Sequence, residues 1–223
     1  MPRLISGRVA RRACVALIAA GSAVSLAYAD IIVTEGMQPW YLCATCHSLD
    51  GISAMARFPK LAGQRADYIV KQVRDFRDGR RSNDGGQMQA SASDIDDDDL
   101  AKTAAYFASL APPPPDGSLG ANGEEWRRGA SLYQDGDAAA GIAKCSSCHD
   151  NAESKRPDAP LLKAQHAAYL AKQLRDWRSG ERQNDLGQTM PSIAVKLPDR
   201  DISALATFLA SQPRLRSNGE AAQ

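Results

Sequence analysis

Apolar residues recur at helical spacing along most of the chain. Ile69, Val73 and Phe76 stand at i, i+4 and i+7, and Leu170, Leu174 and Trp177 repeat that pattern 101 residues later. Each set marks one stripe of an amphipathic helix whose apolar face turns to a core. Gly79 and Gly180 follow as helix stops. A third stripe, Leu100, Ala104 and Phe107, comes directly after Asp96-Asp97-Asp98-Asp99. Acids at a helix N-terminus complement its dipole, so the run reads as a helix start rather than a calcium site. Residues 125–133 predict a further helix, and no segment alternates with the period of a strand. The expected fold class is all-α.

The N-terminus has a different pattern. Arg3, Arg8, Arg11 and Arg12 precede a short apolar run at 13–20, and Ala27-Tyr28-Ala29 is a small-x-small cleavage site before Asp30. Residues 1–29 therefore read as an export signal peptide, with a retained membrane anchor as the alternative. Outside this segment no apolar run reaches the length that spans a bilayer. The 223 residues hold 27 basic and 26 acidic side chains, so charge alone argues against a nucleic-acid binder. Loss of the four signal arginines leaves 23 basic residues against 26 acidic, a net charge of −3.

The chain repeats itself. CATCH at 43–47 and the segment 59–88 match CSSCH at 145–149 and the segment 160–190. Pro59 pairs with Pro160, Gln64 with Gln165, Tyr68 with Tyr169, Arg74-Asp75 with Arg175-Asp176, and Asn83-Asp84 with Asn184-Asp185. Four consecutive prolines, Pro112 to Pro115, lie between the copies and favour an extended, semi-stiff connector. The expected organisation is a first domain at 30–111, a linker at 112–117, a second domain at 118–215 and a tail at 216–223. A period this long means duplicated domains, not a solenoid.

Export of a chain that keeps four cysteines, Cys43, Cys46, Cys145 and Cys148, would first suggest two disulfides. That reading leaves His47 and His149 unexplained, and a zinc site lacks a fourth ligand in each half. CxxCH is the signature of c-type haem attachment: two thiols on one helical turn add to the haem vinyl groups, and the adjacent imidazole reaches the iron. Two matches at equivalent places in a repeat, together using every cysteine after the signal, point to two covalently bound haem c groups. Met88 lies 41 residues after His47, and Met190 lies 41 residues after His149. Equal spacing in both halves favours these methionines as axial iron ligands over core filling, with Met37 and Met55 as competitors in the first half.

CxxCH, a proline about 12 residues on, and Gln-x-x-x-Tyr…Gln-x-Arg-Asp-(Phe/Trp)-Arg-x-Gly-x-Arg-x-Asn-Asp…Met together resemble tandem class I cytochrome c domains, and most closely the dihaem cytochrome c4 family. The resemblance implies two all-helical domains joined by the Pro-rich linker, each enclosing one haem, with the haem edges near each other. It implies that the carbonyls of Pro59 and Pro160 accept hydrogen bonds from the Nδ1 atoms of the proximal histidines. It also implies a periplasmic electron carrier. Its donor would be a quinol-oxidising complex or a dehydrogenase and its acceptor a terminal oxidase; peripheral membrane association stays open. The first half departs from the pattern, having only residues 30–42 before its CxxCH, with Pro39 inside, so its first helix should be short or irregular.

Iron closed on both sides by protein has no place for substrate, which favours electron transfer over catalysis. Two other readings remain: the electron-accepting subunit of a periplasmic dehydrogenase, and a dihaem peroxidase. His166, the one histidine outside CxxCH, is expected on a solvated helix face. Arg74, Arg80, Arg175 and Arg182 are expected either to pair with haem propionates or to be ordinary surface charges. Phe76 and Trp177 are expected in the core.

Overall fold

The computed structural model describes residues 36–116, 122–150 and 158–214. The expected signal peptide, residues 30–35, the junction at 117–121 and the C-terminal tail lie outside the described residues.

In the first half, Pro39 caps the start of α1 (Trp40–His47), followed by α2 (Ala66–Arg77), α3 (Gln87–Ser93) and α4 (Asp97–Ser109). The second half has α5 (Glu124–Gln134), α6 (Ser146–His149), α7 (Ala167–Ser179), α8 (Thr189–Ala194) and α9 (Asp199–Ala210). Among the described residues the only β pairing is an isolated bridge between Asp137 and Ile142. None of these helices is long and apolar enough to cross a membrane.

Ile69, Val73 and Phe76 line the buried face of α2, and Leu170 and Trp177 that of α7. Gly180, at φ 81°, ends α7 in the left-handed conformation a glycine adopts without strain. The aspartate run opens α4 as expected: the Asp96 carboxylate accepts the Asp99 N–H at 2.8 Å and caps the helix.

The two halves differ in how their last helix is covered. α5 crosses α9 so closely that a Cβ on Gly129 would lie 2.1 Å from the Ala204 carbonyl oxygen. This crossing joins Leu132, Tyr133, Ile202, Leu205 and Phe208 into one continuous core with Leu170. Counted from the helix starts, Lys102 of α4 stands where α9 has Ala204. A lysine there, paired with Asp99 at 2.7 Å, leaves no flat seat for a crossing helix. The first half has two smaller clusters instead, one around Val73, Phe76 and Leu100 and one around Ile69, Ala104 and Phe107. Trp40 packs against the second of these.

From Met37 onward the described residues belong to one compact unit. The halves meet through matched polar contacts. The Gln64 side chain donates to the Leu161 carbonyl at 3.0 Å and accepts the Leu161 N–H at 2.9 Å, while Gln165 makes the same two bonds to Lys60 at 3.0 and 2.9 Å. Residues 111–116 are not helical. Pro112 and Pro113 are buried, the Asp116 N–H donates to Ala210, and its carboxylate pairs with Lys60 at 3.1 Å.

Candidate functional site

In the first half Cys43, Cys46 and His47 sit on the last turn and a half of α1, with the thiols three residues apart and so on one face. The helix stops at once: Ser48 turns to φ 64° and donates its N–H to Ala44. His47 is 5% exposed, and its Nδ1–H donates to the Pro59 carbonyl at 2.9 Å. In the second half Cys145 precedes α6, which carries Cys148 and His149, and Nδ1–H of the buried His149 donates to the Pro160 carbonyl at 2.8 Å. The histidine–proline separation is 12 residues in one half and 11 in the other, so the loop absorbs the difference and the hydrogen bond is kept. In both cases this tautomer puts the imidazole lone pair on Nε2. Burial holds the His47 imidazole below its ordinary pKa, the neutral state that ligation needs.

None of the four cysteines is in a disulfide. Burial pushes the Cys43 and Cys145 thiols up to about 11. They are therefore protonated at neutral pH. Among the described residues no cluster of His, Cys, Asp or Glu is arranged to hold a metal ion by itself.

Met88 and Met190 each occupy the second position of a short helix, α3 and α8, and Met88 packs on the Val73–Leu100 cluster. The rival methionines Met37 and Met55 are 47% and 49% exposed. Each helix is entered through a left-handed residue, Gly86 at φ 85° and Gln188 at φ 52°.

The polar faces of α2 and α7 meet between the halves. Arg81 donates to Asn83 Oδ1 (3.0 Å), Gln72 Oε1 (2.7 Å), Gln173 Oε1 (3.0 Å) and the Tyr169 hydroxyl (3.1 Å). Arg182 mirrors it with Asn184 Oδ1 (3.0 Å), Gln173 Oε1 (2.9 Å), Gln72 Oε1 (3.1 Å) and the Tyr68 hydroxyl (3.3 Å). Each guanidinium also lies over an aromatic ring, Phe76 or Trp177, 4.5 Å from its centroid. Burial alone would raise the Tyr68 phenol, but Arg182 and Arg81 pull it below its ordinary value. Both guanidiniums are buried without a carboxylate among these hydrogen-bond partners. Against the effect of burial, Arg81 is held charged in part by the Asp84 carboxylate, while burial and the charge of Arg81 push Arg182 below its ordinary pKa, so a further anionic group here would favour its charged form.

Several expectations change here. Arg182 is not a surface charge. Arg74, Arg175 and Arg80 are already paired with Asp97, Asp199 and, for Arg80, Asp75 and Asp78. His166 is not on a solvated face: it precedes α7 and donates Nε2–H to the Ser53 carbonyl of the first half at 2.8 Å. Its repeat counterpart Arg65 is buried and donates to Ala159 at 2.9 Å. Arg81, Gln72 and Gln173 belong to the repeated motif but had no role assigned to them from sequence. Their identity with Arg182, Gln173 and Gln72 across the repeat was the available signal.

The Cytochrome c family model matches this chain twice, at residues 33–111 and 127–213. Cytochrome c4 of Azotobacter vinelandii is 37% identical over 209 residues, covering 89% of this chain and 97% of the relative. The chain belongs to the cytochrome c4 family. The crystal structure of reduced recombinant cytochrome c4 from Pseudomonas stutzeri superposes with a TM-score of 0.65 at 34% identity, over 77% of this chain and 93% of that one. A thiosulfate dehydrogenase electron acceptor from Stutzerimonas stutzeri is 37% identical over 171 residues, 76% of this chain and 78% of that protein.

As a cytochrome c4 family member the protein is an electron carrier rather than an enzyme, and it carries two covalently bound haem c groups. The donor set fits them: in each half two thiols and an imidazole oriented through Nδ1, and between the halves two guanidiniums suited to propionate carboxylates.

Proposed function

We propose that Cys43 and Cys46 attach the first haem and Cys145 and Cys148 the second, with His47 and Met88, and His149 and Met190, as the axial pairs. The domains would run 30–111 and 118–215, joined at 112–117. The observation that carries this reading is the imidazole–proline hydrogen bond made in both halves at nearly equal length. It fixes each ring and raises its basicity as a ligand.

Six-coordinate haem iron supplies one-electron transfer without a substrate position. The chain's own residues do the rest. Burial of His47 and His149 keeps water away, and Arg81 and Arg182 hold positive charge between the halves, where it favours neighbouring carboxylates in their ionised form. Loss of residues 1–29 on export would place the mature protein in the periplasm. There it would take electrons from a quinol-oxidising complex or a periplasmic dehydrogenase and pass them to a terminal oxidase. The similarity to a thiosulfate dehydrogenase electron acceptor favours a dehydrogenase as the immediate donor.

The test is direct. Protein from cells able to mature c-type cytochromes should weigh the chain without residues 1–29 plus two haems, and peptides spanning 43–47 and 145–149 should each carry one. A colourless product, or haem released by acid extraction, would overturn the assignment.

A further inference from the structure

The Asn-Asp dipeptide repeated in the two halves has a divided job. In the first half the Asp84 carboxylate accepts the Gly86 N–H at 3.1 Å through Oδ1 and the Met88 N–H at 2.5 Å through Oδ2. In the second half Asp185 accepts the Gly187 N–H at 3.1 Å through Oδ1 and the Met190 N–H at 2.7 Å through Oδ2. The methionine is four residues after the aspartate in one half and five in the other. The bond to the methionine amide survives that difference, so the contact, not the spacing, is what the two halves share.

The preceding asparagine faces the other way, into the opposite half. Asn83 donates to Asp176 Oδ2 at 2.5 Å and to Gln173 Oε1 at 3.1 Å, and its carbonyl accepts from Lys172 Nζ at 2.7 Å. Asn184 donates to Asp75 Oδ2 at 2.6 Å and to Gln72 Oε1 at 3.0 Å, and its carbonyl accepts from Lys71 Nζ at 2.8 Å. Each methionine is thus one peptide and one carboxylate removed from a helix of the other half.

We propose that α7 positions Met88 and α2 positions Met190, each through the opposite half's Asn-Asp dipeptide, so that the strength of each iron–sulfur bond depends on the half that does not carry it. The proposal rests on the axial roles given above to Met88 and Met190. Asp84 and Asp185 are positioning residues, as are Lys172, Asp176, Lys71 and Asp75. The effect is crossed: loss of the α7 contacts to Asn83 loosens the first half's ligand, and loss of the α2 contacts to Asn184 loosens the second half's.

The test uses the full haem-loaded protein in its ferric state, titrated with imidazole, which competes with thioether sulfur for iron. Met88→Ala and Met190→Ala identify which spectral change belongs to which haem. Partners that orient a metal ligand typically change affinity by 10–100-fold, so Asp84→Ala should tighten imidazole binding at the first haem about tenfold. Asp84→Asn should do nearly the same, because an amide can keep the Gly86 bond but turns an N–H group toward the Met88 N–H. Lys172→Met removes the hydrogen bond to the Asn83 carbonyl and the ion pair to Asp176 from a half-exposed side chain. It should tighten binding roughly threefold at the first haem and leave the second unchanged. Lys71→Met should do the reverse.

A role in folding alone would lower the melting temperature and leave imidazole affinity at both haems as in the wild type. That result for Asp84→Asn and Lys172→Met, or an effect of Lys172→Met on the second haem, overturns the proposal. If Met88→Ala itself opens neither haem to imidazole, the ligand assignment fails first and takes this inference with it.

Discussion

Trp40 lies flat on Tyr106, with ring centroids 4.3 Å apart and planes 5° from parallel. In the second half the corresponding helix residue, Phe208, is met edge-on by Trp126 of α5, 5.1 Å away at 71°. A single ring from the start of α1 therefore stands in for a whole crossing helix. Trp40→Ala should cost the first half about 2 kcal/mol, a little below the range for a fully buried Trp because Trp40 is half-buried. Tyr106→Phe, which loses only the 2.7 Å bond to the Leu49 carbonyl, should cost about 1 kcal/mol. Denaturant unfolding followed at each haem would show the loss confined to the first.

Gly129 makes the opposite prediction for the second half. Alanine is the better helix former, yet its Cβ would meet the Ala204 carbonyl at 2.1 Å. Gly129→Ala should destabilise that half by about 3 kcal/mol or more, seen as earlier unfolding of the second haem site. A gain in stability would mean that α5 and α9 can separate freely.

His166 should make the contact between the halves sensitive to pH. Burial, then the charge of Lys60, holds its pKa below the ordinary value, against the pull of the Ser53 carbonyl and of Asp116. A histidine depressed in the folded state adds stability above its unfolded pKa of about 6.5, and that stability drains away as pH falls toward the folded value. The melting temperature should decline over that window in the wild type. In His166→Gln, which keeps an N–H donor for Ser53 and loses the titration, this part of the decline should vanish.

Met88→Ala and Met190→Ala should each lower the potential of one haem and leave the other nearly unchanged in a redox titration, since neutral sulfur favours ferrous iron. Unchanged potentials in Met88→Ala would move the first-half ligand elsewhere.

The helices and the CxxCH pairs were legible because each depends on spacing along the chain, and spacing is likewise what puts Met88 and Met190 forward as ligands. The stripe Ile69, Val73, Phe76 tells α2 which way to face whatever packs against it. Arg81, Arg182, Gln72 and Gln173 were not legible in the same way. Gln72 and Gln173 flank the apolar stripes of α2 and α7, and Arg81 and Arg182 lie past the ends of those helices, where periodicity assigns no face; charged side chains are rarely buried unless paired. What buries them is a second copy of the same surface, a tertiary event that no local pattern encodes. His166 was misplaced for the same reason. The short α1, by contrast, followed from Pro39 and the few residues before Cys43.

The reciprocal bonds of Gln64 and Gln165 have one more consequence. A patch whose acceptor meets its counterpart's donor, and whose donor meets its counterpart's acceptor, is self-complementary, the relation by which identical subunits form isologous pairs. The two halves keep the geometry of a homodimer although one polypeptide carries both. Unlike pairs such as Arg65 and His166, or Lys102 and Ala204, record that they have since been free to diverge.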